Sequence, residues 1–162
     1  MRSEYLTYGL IGTLAIGLLV AAFTDLRRRQ IDNGLNFVIA LAAPLFWWAS
    51  GLSFWPGAAW QVGVAVATFG ITAILFALRA MGGGDVKLLT ALALWIRPPH
   101  FLFLVVIMAM LGGLLTILFA AWHVARRQQG RAAIPYGIAI SAAGLFTIVA
   151  KSLPLLGGVA AG

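Results

Sequence analysis

The sequence predicts an all-α, polytopic integral membrane protein of about six transmembrane helices, the fourth of them short. Three observations carry this. First, 62% of the residues are hydrophobic and 9% are charged, whereas soluble domains sit near about 45–50% apolar and about 25% charged. Second, the apolar residues come in runs long enough to cross a hydrocarbon core of about 30 Å, which takes about 20 helical residues. Third, the charges fall in short stretches between those runs. A disordered chain is excluded as well, because disorder goes with few apolar residues and much charge. The 162 residues suit one membrane-embedded domain, 1–162, with no room expected for a separate soluble one. Zero cysteines remove disulfides, thiolate metal sites, iron–sulfur clusters and cysteine nucleophiles from consideration.

The first run, Tyr5 to Thr24, has no charge. It is too long for the core of a cleaved signal peptide and is expected to be helix 1. Asp25 to Asn33 is a polar stretch, and Gly34 to about Ser50 is the second span. Gly51 to Trp60, with Pro56 and three aromatics, reads as a loop. Gln61 to Leu78 is the third span, and Arg79 to Lys87 is a glycine-rich polar turn. The fourth apolar segment, Leu88 to Ile96, is short. Counted from Asp85 it makes about 12 helical residues, or roughly 18 Å, so it either spans tilted with help from a thinned bilayer and sheltering neighbours or is re-entrant; the charge balance favours spanning. Arg97, Pro98, Pro99 and His100 end it. Phe101 to Trp122 is the fifth span, His123 to Arg131 a basic loop, and Ala132 to Ala150 the last run, with Pro135 suited to a first helical turn.

Eleven Lys/Arg against four Asp/Glu give a net charge of +7. With six spans, Arg27, Arg28, Arg29, Arg79, Lys87, Arg126, Arg127 and Arg131 fall on one side, and only Arg2, Arg97 and Lys151 on the other. By the positive-inside rule the first side is cytoplasmic and both termini are outside. The basic charge therefore reads as a topology signal and a contact to anionic lipid, with no nucleic-acid partner expected. Trp47, Trp48, Trp55, Trp60, Trp95 and Trp122 are expected at the two membrane interfaces, as aromatic belts are.

Acids are few. Glu4 lies near the outer terminus, while Asp25, Asp32 and Asp85 all fall on the cytoplasmic side. Asp25 directly follows the first run and Asp85 directly precedes the fourth. A carboxylate at such a boundary is costly and tends to be kept for function. Taken singly, Asp85 reads as a helix cap and Asp25 as a loop acid paired with arginine. Together they form a candidate catalytic dyad. Two close carboxylates share a proton, so one takes a proton from water while the other donates to a carbonyl, which is aspartic-protease chemistry. Asp85 would sit at a helix N-terminus, where the dipole favours an anion, and Asp25 at a C-terminus, where it does not. That would make Asp85 the more anionic partner and Asp25 the proton carrier. Gly82, Gly83 and Gly84 read as a flexible turn that admits an extended substrate beside Asp85. Lys87 either holds negative charge near the dyad or snorkels to headgroups.

Three stretches together resemble a known family. Asp25-Leu-Arg-Arg-Arg-Gln-Ile31-Asp-Asn33 resembles the D-x5-I-P-N stretch of type IV prepilin peptidases. Gly82-Gly83-Gly84-Asp85-Val86-Lys87-Leu88 resembles their G-x-G-D-x-K-L segment, and Ile134-Pro135-Tyr136-Gly137 their P-[FY]-G signature. Order and spacing match over most of the chain, which looks most like the small members associated with tight-adherence (Flp) pili. The resemblance implies a polytopic aspartic endopeptidase of the bacterial inner membrane. Such enzymes cut the basic leader from prepilins and pseudopilins at the cytoplasmic face, in concert with pilus assembly machinery. It makes Asp25 and Asp85 catalytic, with Gly82, Gly83, Gly84, Lys87, Ile31, Asn33, Pro135, Tyr136 and Gly137 as supporting or substrate-binding residues. Larger members add a cysteine-bearing domain that N-methylates the product. Without cysteine, this chain is expected to be a peptidase needing no cofactor, no metal and no S-adenosylmethionine. It departs from the family at Asp32, where Pro is usual. Asp32 reads as a turn residue, or as an attraction for a basic leader.

Other readings stay open at this level. No H-E-x-x-H or G-x-S-x-G motif is present, and His100 and His123 fall on opposite faces. A small channel or transporter subunit would also keep intramembrane acids, but near mid-membrane. An inactive scaffold of a pilus machine is the remaining alternative.

Overall fold

The computed structural model describes residues 2–126 and 136–157. Among them there are six helices and no strand: α1 (Arg2–Arg28), α2 (Asn33–Ala49), α3 (Ala59–Ala77), α4 (Gly83–Trp95), α5 (Pro98–Ala125) and α6 (Tyr136–Gly157). Short connections make sequential neighbours antiparallel. Among the described residues three segments are long and apolar enough to cross a membrane, namely Glu4–Arg28, Phe54–Ala77 and Pro98–Trp122. Their large apolar side chains face outward, Ile16, Val66, Ile74, Met110 and Ile117 among them. A surface this apolar belongs in lipid, and the protein is membrane-embedded.

α4 sits at the centre. It packs on α3 and α2 and, less extensively, on α6, while α1 and α5 both pack on α6. Most of its residues are buried, among them Val86, Leu88, Leu89, Leu92 and Trp95. Beyond its first two turns α4 is apolar on every side, as an interior helix is, so it carries no clear amphipathic signal. Thirteen residues reach only about 20 Å, so its last carbonyls lie inside the bundle and need donors there. The Leu94 carbonyl accepts from Trp47 Nε1 at 2.7 Å and from Gln61 Nε2 at 3.2 Å. Trp95 Nε1 donates to the Ile39 carbonyl at 2.8 Å, and its ring stacks on Phe46 with 4.9 Å between centroids.

The expected aromatic belt is corrected by these bonds. Trp47 and Trp95 anchor α4 internally, whereas Trp48, Trp55, Trp60 and Trp122 are exposed. Several boundaries also differ from expectation; α5 starts at Pro98 and runs to Ala125, past both ends of the expected Phe101–Trp122 span. Helix α1 runs on through the polar residues to Arg28, so Asp25 lies in its last turn. The segment read as a loop after α2 contains a short helical turn, Phe54–Ala58, broken at Trp55 and leading into α3. α4 begins at Gly83, which places two of the three glycines and Lys87 inside the helix. α1 and α3 each end on an arginine in the left-handed region, Arg29 (φ 53°) and Arg79 (φ 57°), where glycine is usual. Of the basic residues assigned to the inner side, Arg127 and Arg131 lie outside the described residues, as does Pro135.

Candidate active site

The two candidate acids both lie at the end of the bundle where α1 finishes and α2, α4 and α6 start. Asp25 and Asp85 are 5% and 7% exposed, close enough for their charges to interact. α1 and α4 do not bring them together by packing directly; α6 lies between. Two turns below the acids, a Cβ on Gly144 would lie 2.9 Å from Leu18 of α1 and 3.6 Å from Leu92 of α4. At the level of the acids the contact is tighter still. A Cβ on Gly137 would fall 2.7 Å from Asp25 Oδ2 and 2.8 Å from Ile31 Cδ1. Only glycine admits this approach of α6 to the acid.

Each acid faces a helix N-terminus. Asp85 is the third residue of α4, and its Oδ2 accepts the Gly82 N–H at 3.3 Å, the return half of a capping box. The Gly137 and Ile138 amides, in the first turn of α6, lie against Asp25, as does the charge of Arg29. Asp25 Oδ2 nonetheless meets no donor at hydrogen-bonding geometry among the described residues. The first-turn amides thus favour the ionised form of the Asp25 carboxyl, as the positive end of a helix does. The helix-end argument that made Asp85 alone the favoured anion loses its asymmetry, since α6 offers Asp25 the same dipole.

The supporting residues divide. Ile31 wedges between the two acid-bearing regions: its backbone N lies 3.3 Å from where a Gly84 Cβ would be, and its Cδ1 reaches Gly137. Gly84 thus permits a close approach, and Gly82 caps the helix; the expected flexible turn is instead a helix start. Gly83 packs on the Phe76 ring. Lys87 points away from the dyad, its Nζ donating to Asn33 Oδ1 at 2.7 Å, so it does not hold charge beside Asp85. The Tyr136 ring leaves the site for α5, packing on Gly112, with its hydroxyl 3.1 Å from Thr116 Oγ1. It fixes the start of α6 against α5. Asp32 caps α2, accepting the Gly34 N–H at 2.7 Å. One participant escaped the sequence reading: Asn36 Nδ2 donates to the Gly84 carbonyl at 3.2 Å, tying α2 to the turn that carries Asp85. Its signal was an amide one helical turn after Asn33 in an otherwise apolar run.

A family model described as type IV leader peptidase family matches residues 12–118, a stretch that takes in both acids. The chain belongs to the type IV leader peptidase family. Leader-peptidase membership makes a membrane-embedded hydrolase of the peptidase type the general function. No curated protein and no solved structure gives a significant match. The leader-peptidase match ends within α5, so the contact of α6 with Asp25 is a feature of the three-dimensional arrangement.

Proposed function

We propose that the protein is an aspartic endopeptidase that removes the basic leader from type IV prepilins and pseudopilins at the cytoplasmic face of the bacterial inner membrane, serving a tight-adherence pilus. The observation that carries this reading is the placement of Asp25 and Asp85. In a chain with four acids, two from distant positions are buried at the same end of a membrane bundle, near enough for their charges to interact. That end also collects Arg27, Arg28, Arg29, Arg79, Lys87 and Arg126. Arg27 lies over the Phe23 ring at 4.9 Å and Arg126 over the Trp122 ring at 4.5 Å, which suits anchoring at an interface. By the positive-inside rule this end is cytoplasmic.

In the proposed reaction the pair holds one proton. The ionised carboxylate removes a proton from water as its oxygen attacks the scissile carbonyl carbon. The protonated partner donates to the carbonyl oxygen. Collapse of the tetrahedral species breaks the C–N bond: the leaving nitrogen takes a proton from one carboxyl while a hydroxyl of the tetrahedral species returns its proton to the other carboxylate, so the pair again holds one. The N-termini of α4 and α6 favour the negative charge that the pair keeps through the cycle. No covalent intermediate is formed.

The test is leader removal from a co-expressed prepilin, read by gel shift and mass spectrometry. Wild type and Asp32→Ala should cleave. Asp25→Ala and Asp85→Ala should insert normally and fail to cleave. Cleavage that survives loss of either acid would discard the dyad and turn attention to transport.

A further inference from the structure

A groove lies on the face of α4 turned away from the acids. At about 100° per residue, Lys87, Thr90 and Leu94 share one stripe of α4, roughly opposite Asp85. With Asn33 and Asn36 of α2 and Phe69 of α3 they line an open groove of about 590 Å³. Its mouth is polar and cationic. Lys87 is exposed and gives one of its three ammonium protons to Asn33. Deeper in, Asn36 is 4% exposed. Its amide nitrogen is engaged by Gly84, but its Oδ1 meets no donor among the described residues. Below that the lining is apolar. Phe37 and Phe69 beside it are exposed, so the groove opens sideways onto the surface that faces lipid.

We propose that this groove holds one anionic phospholipid of the phosphatidylglycerol class. The phosphate lies against Lys87, a headgroup hydroxyl donates to Asn36 Oδ1, and an acyl chain lies along Phe69 and Leu94. Charge complementarity selects the occupant. Arginines and Lys87 crowd this end of the bundle, and such clusters attract anionic lipid. Asp32, the acid beside the mouth, has its Oδ1 held by the Gly34 N–H. A peptide helix fits less well. Ten residues of helix, about 10 Å across and about 15 Å long, fill roughly twice this volume. A helix seated here would also lie on the wrong side of α4 from Asp85. A lipid in this place ties α2 to α4 just below the Asn36–Gly84 bond, so it braces the turn that carries Asp85.

The full chain in nanodiscs of phosphatidylcholine with a minor fraction of phosphatidylglycerol, released for native mass spectrometry, tests this without reference to cleavage. Wild type should retain one phosphatidylglycerol in preference to phosphatidylcholine. Lys87→Ala should weaken retention about five-fold, the factor that one lysine near an anionic surface supplies, and Lys87→Arg should restore it. Ala40 of α2 lines the apolar part of the groove; Ala40→Phe, which fills that part while leaving Lys87 in place, should also expel the lipid, and Ala40→Leu serves if the larger residue prevents insertion. Equal retention by wild type and Lys87→Ala overturns the proposal, as does equal retention of the two lipids. Retention by a folded groove-filling variant overturns it too. Displacement of the lipid by an apolar prepilin segment would assign the groove to substrate and sink the lipid reading.

Discussion

Gly137→Ala is the substitution that most sharply separates the candidate site from the fold. The added methyl would stand 2.7 Å from Asp25 Oδ2 and 2.8 Å from Ile31 Cδ1. Ordinary carbon contacts begin near 3.4 Å, so the carboxyl or α6 must give way by about 0.7 Å. Misplacing a catalytic group by about 1 Å can cost about 10²-fold in rate; a shift of this size therefore predicts a loss of roughly 25-fold or more. Stability should change little, because alanine is the better helix former by up to about 1 kcal/mol, which offsets part of the crowding. Gly144→Ala is the comparison. Its methyl meets the tip of Leu18 at 2.9 Å, a flexible side chain two turns from the acids, so cleavage should survive. The assay is leader cleavage in proteoliposomes with a thermal melt of each variant. If Gly137→Ala cleaves at the wild-type rate while folded, α6 does not position Asp25 and the reasoning fails.

Three further outcomes follow from single contacts. Asp32→Ala removes the α2 cap and should lower stability by about 1 kcal/mol with cleavage intact; a melt unchanged from wild type would deny the cap its role. Asn36→Ala removes the bond to the Gly84 carbonyl, worth about 1 kcal/mol, and should reduce cleavage beyond that loss of stability because the Asp85 turn is released from α2. A cleavage rate equal to wild type in the folded variant would contradict this. Tyr136→Phe loses the hydroxyl contact to Thr116, also worth about 1 kcal/mol. It should lower the melting temperature while cleavage persists, and abolished cleavage would place the hydroxyl in the chemistry instead.

Much of this architecture is legible in the amino-acid sequence. Apolar runs set the helices because lipid leaves the backbone no other way to satisfy itself, and the scarcity of acids drew attention to Asp25 and Asp85. What escaped the sequence were contacts between elements. By sequence Trp47 belongs to an interfacial belt and Gln61 only starts the third span, yet they supply the donors that let α4 stop short inside the bundle. The glycines before Asp85 suggested a mobile turn, but Gly84 is needed for the approach of Ile31. Lys87 sits two residues from Asp85, and that separation turns it to the opposite helix face, onto Asn33. Local spacing encodes helix faces; it does not say which neighbour covers each face. The proximity of the α6 N-terminus to Asp25 depends on packing across more than a hundred residues of sequence.

The most direct test of the central claim asks whether Asp25 and Asp85 work as one unit. Single-turnover leader cleavage would be compared for wild type, Asp25→Asn, Asp85→Asn and the double variant, each reconstituted and shown to be folded. Groups that act together give losses that do not add. The account predicts that each single substitution removes at least about 10²–10⁴-fold and that the double variant is no slower than the worse single one. Losses that multiply, or either single variant cleaving near the wild-type rate, would contradict it.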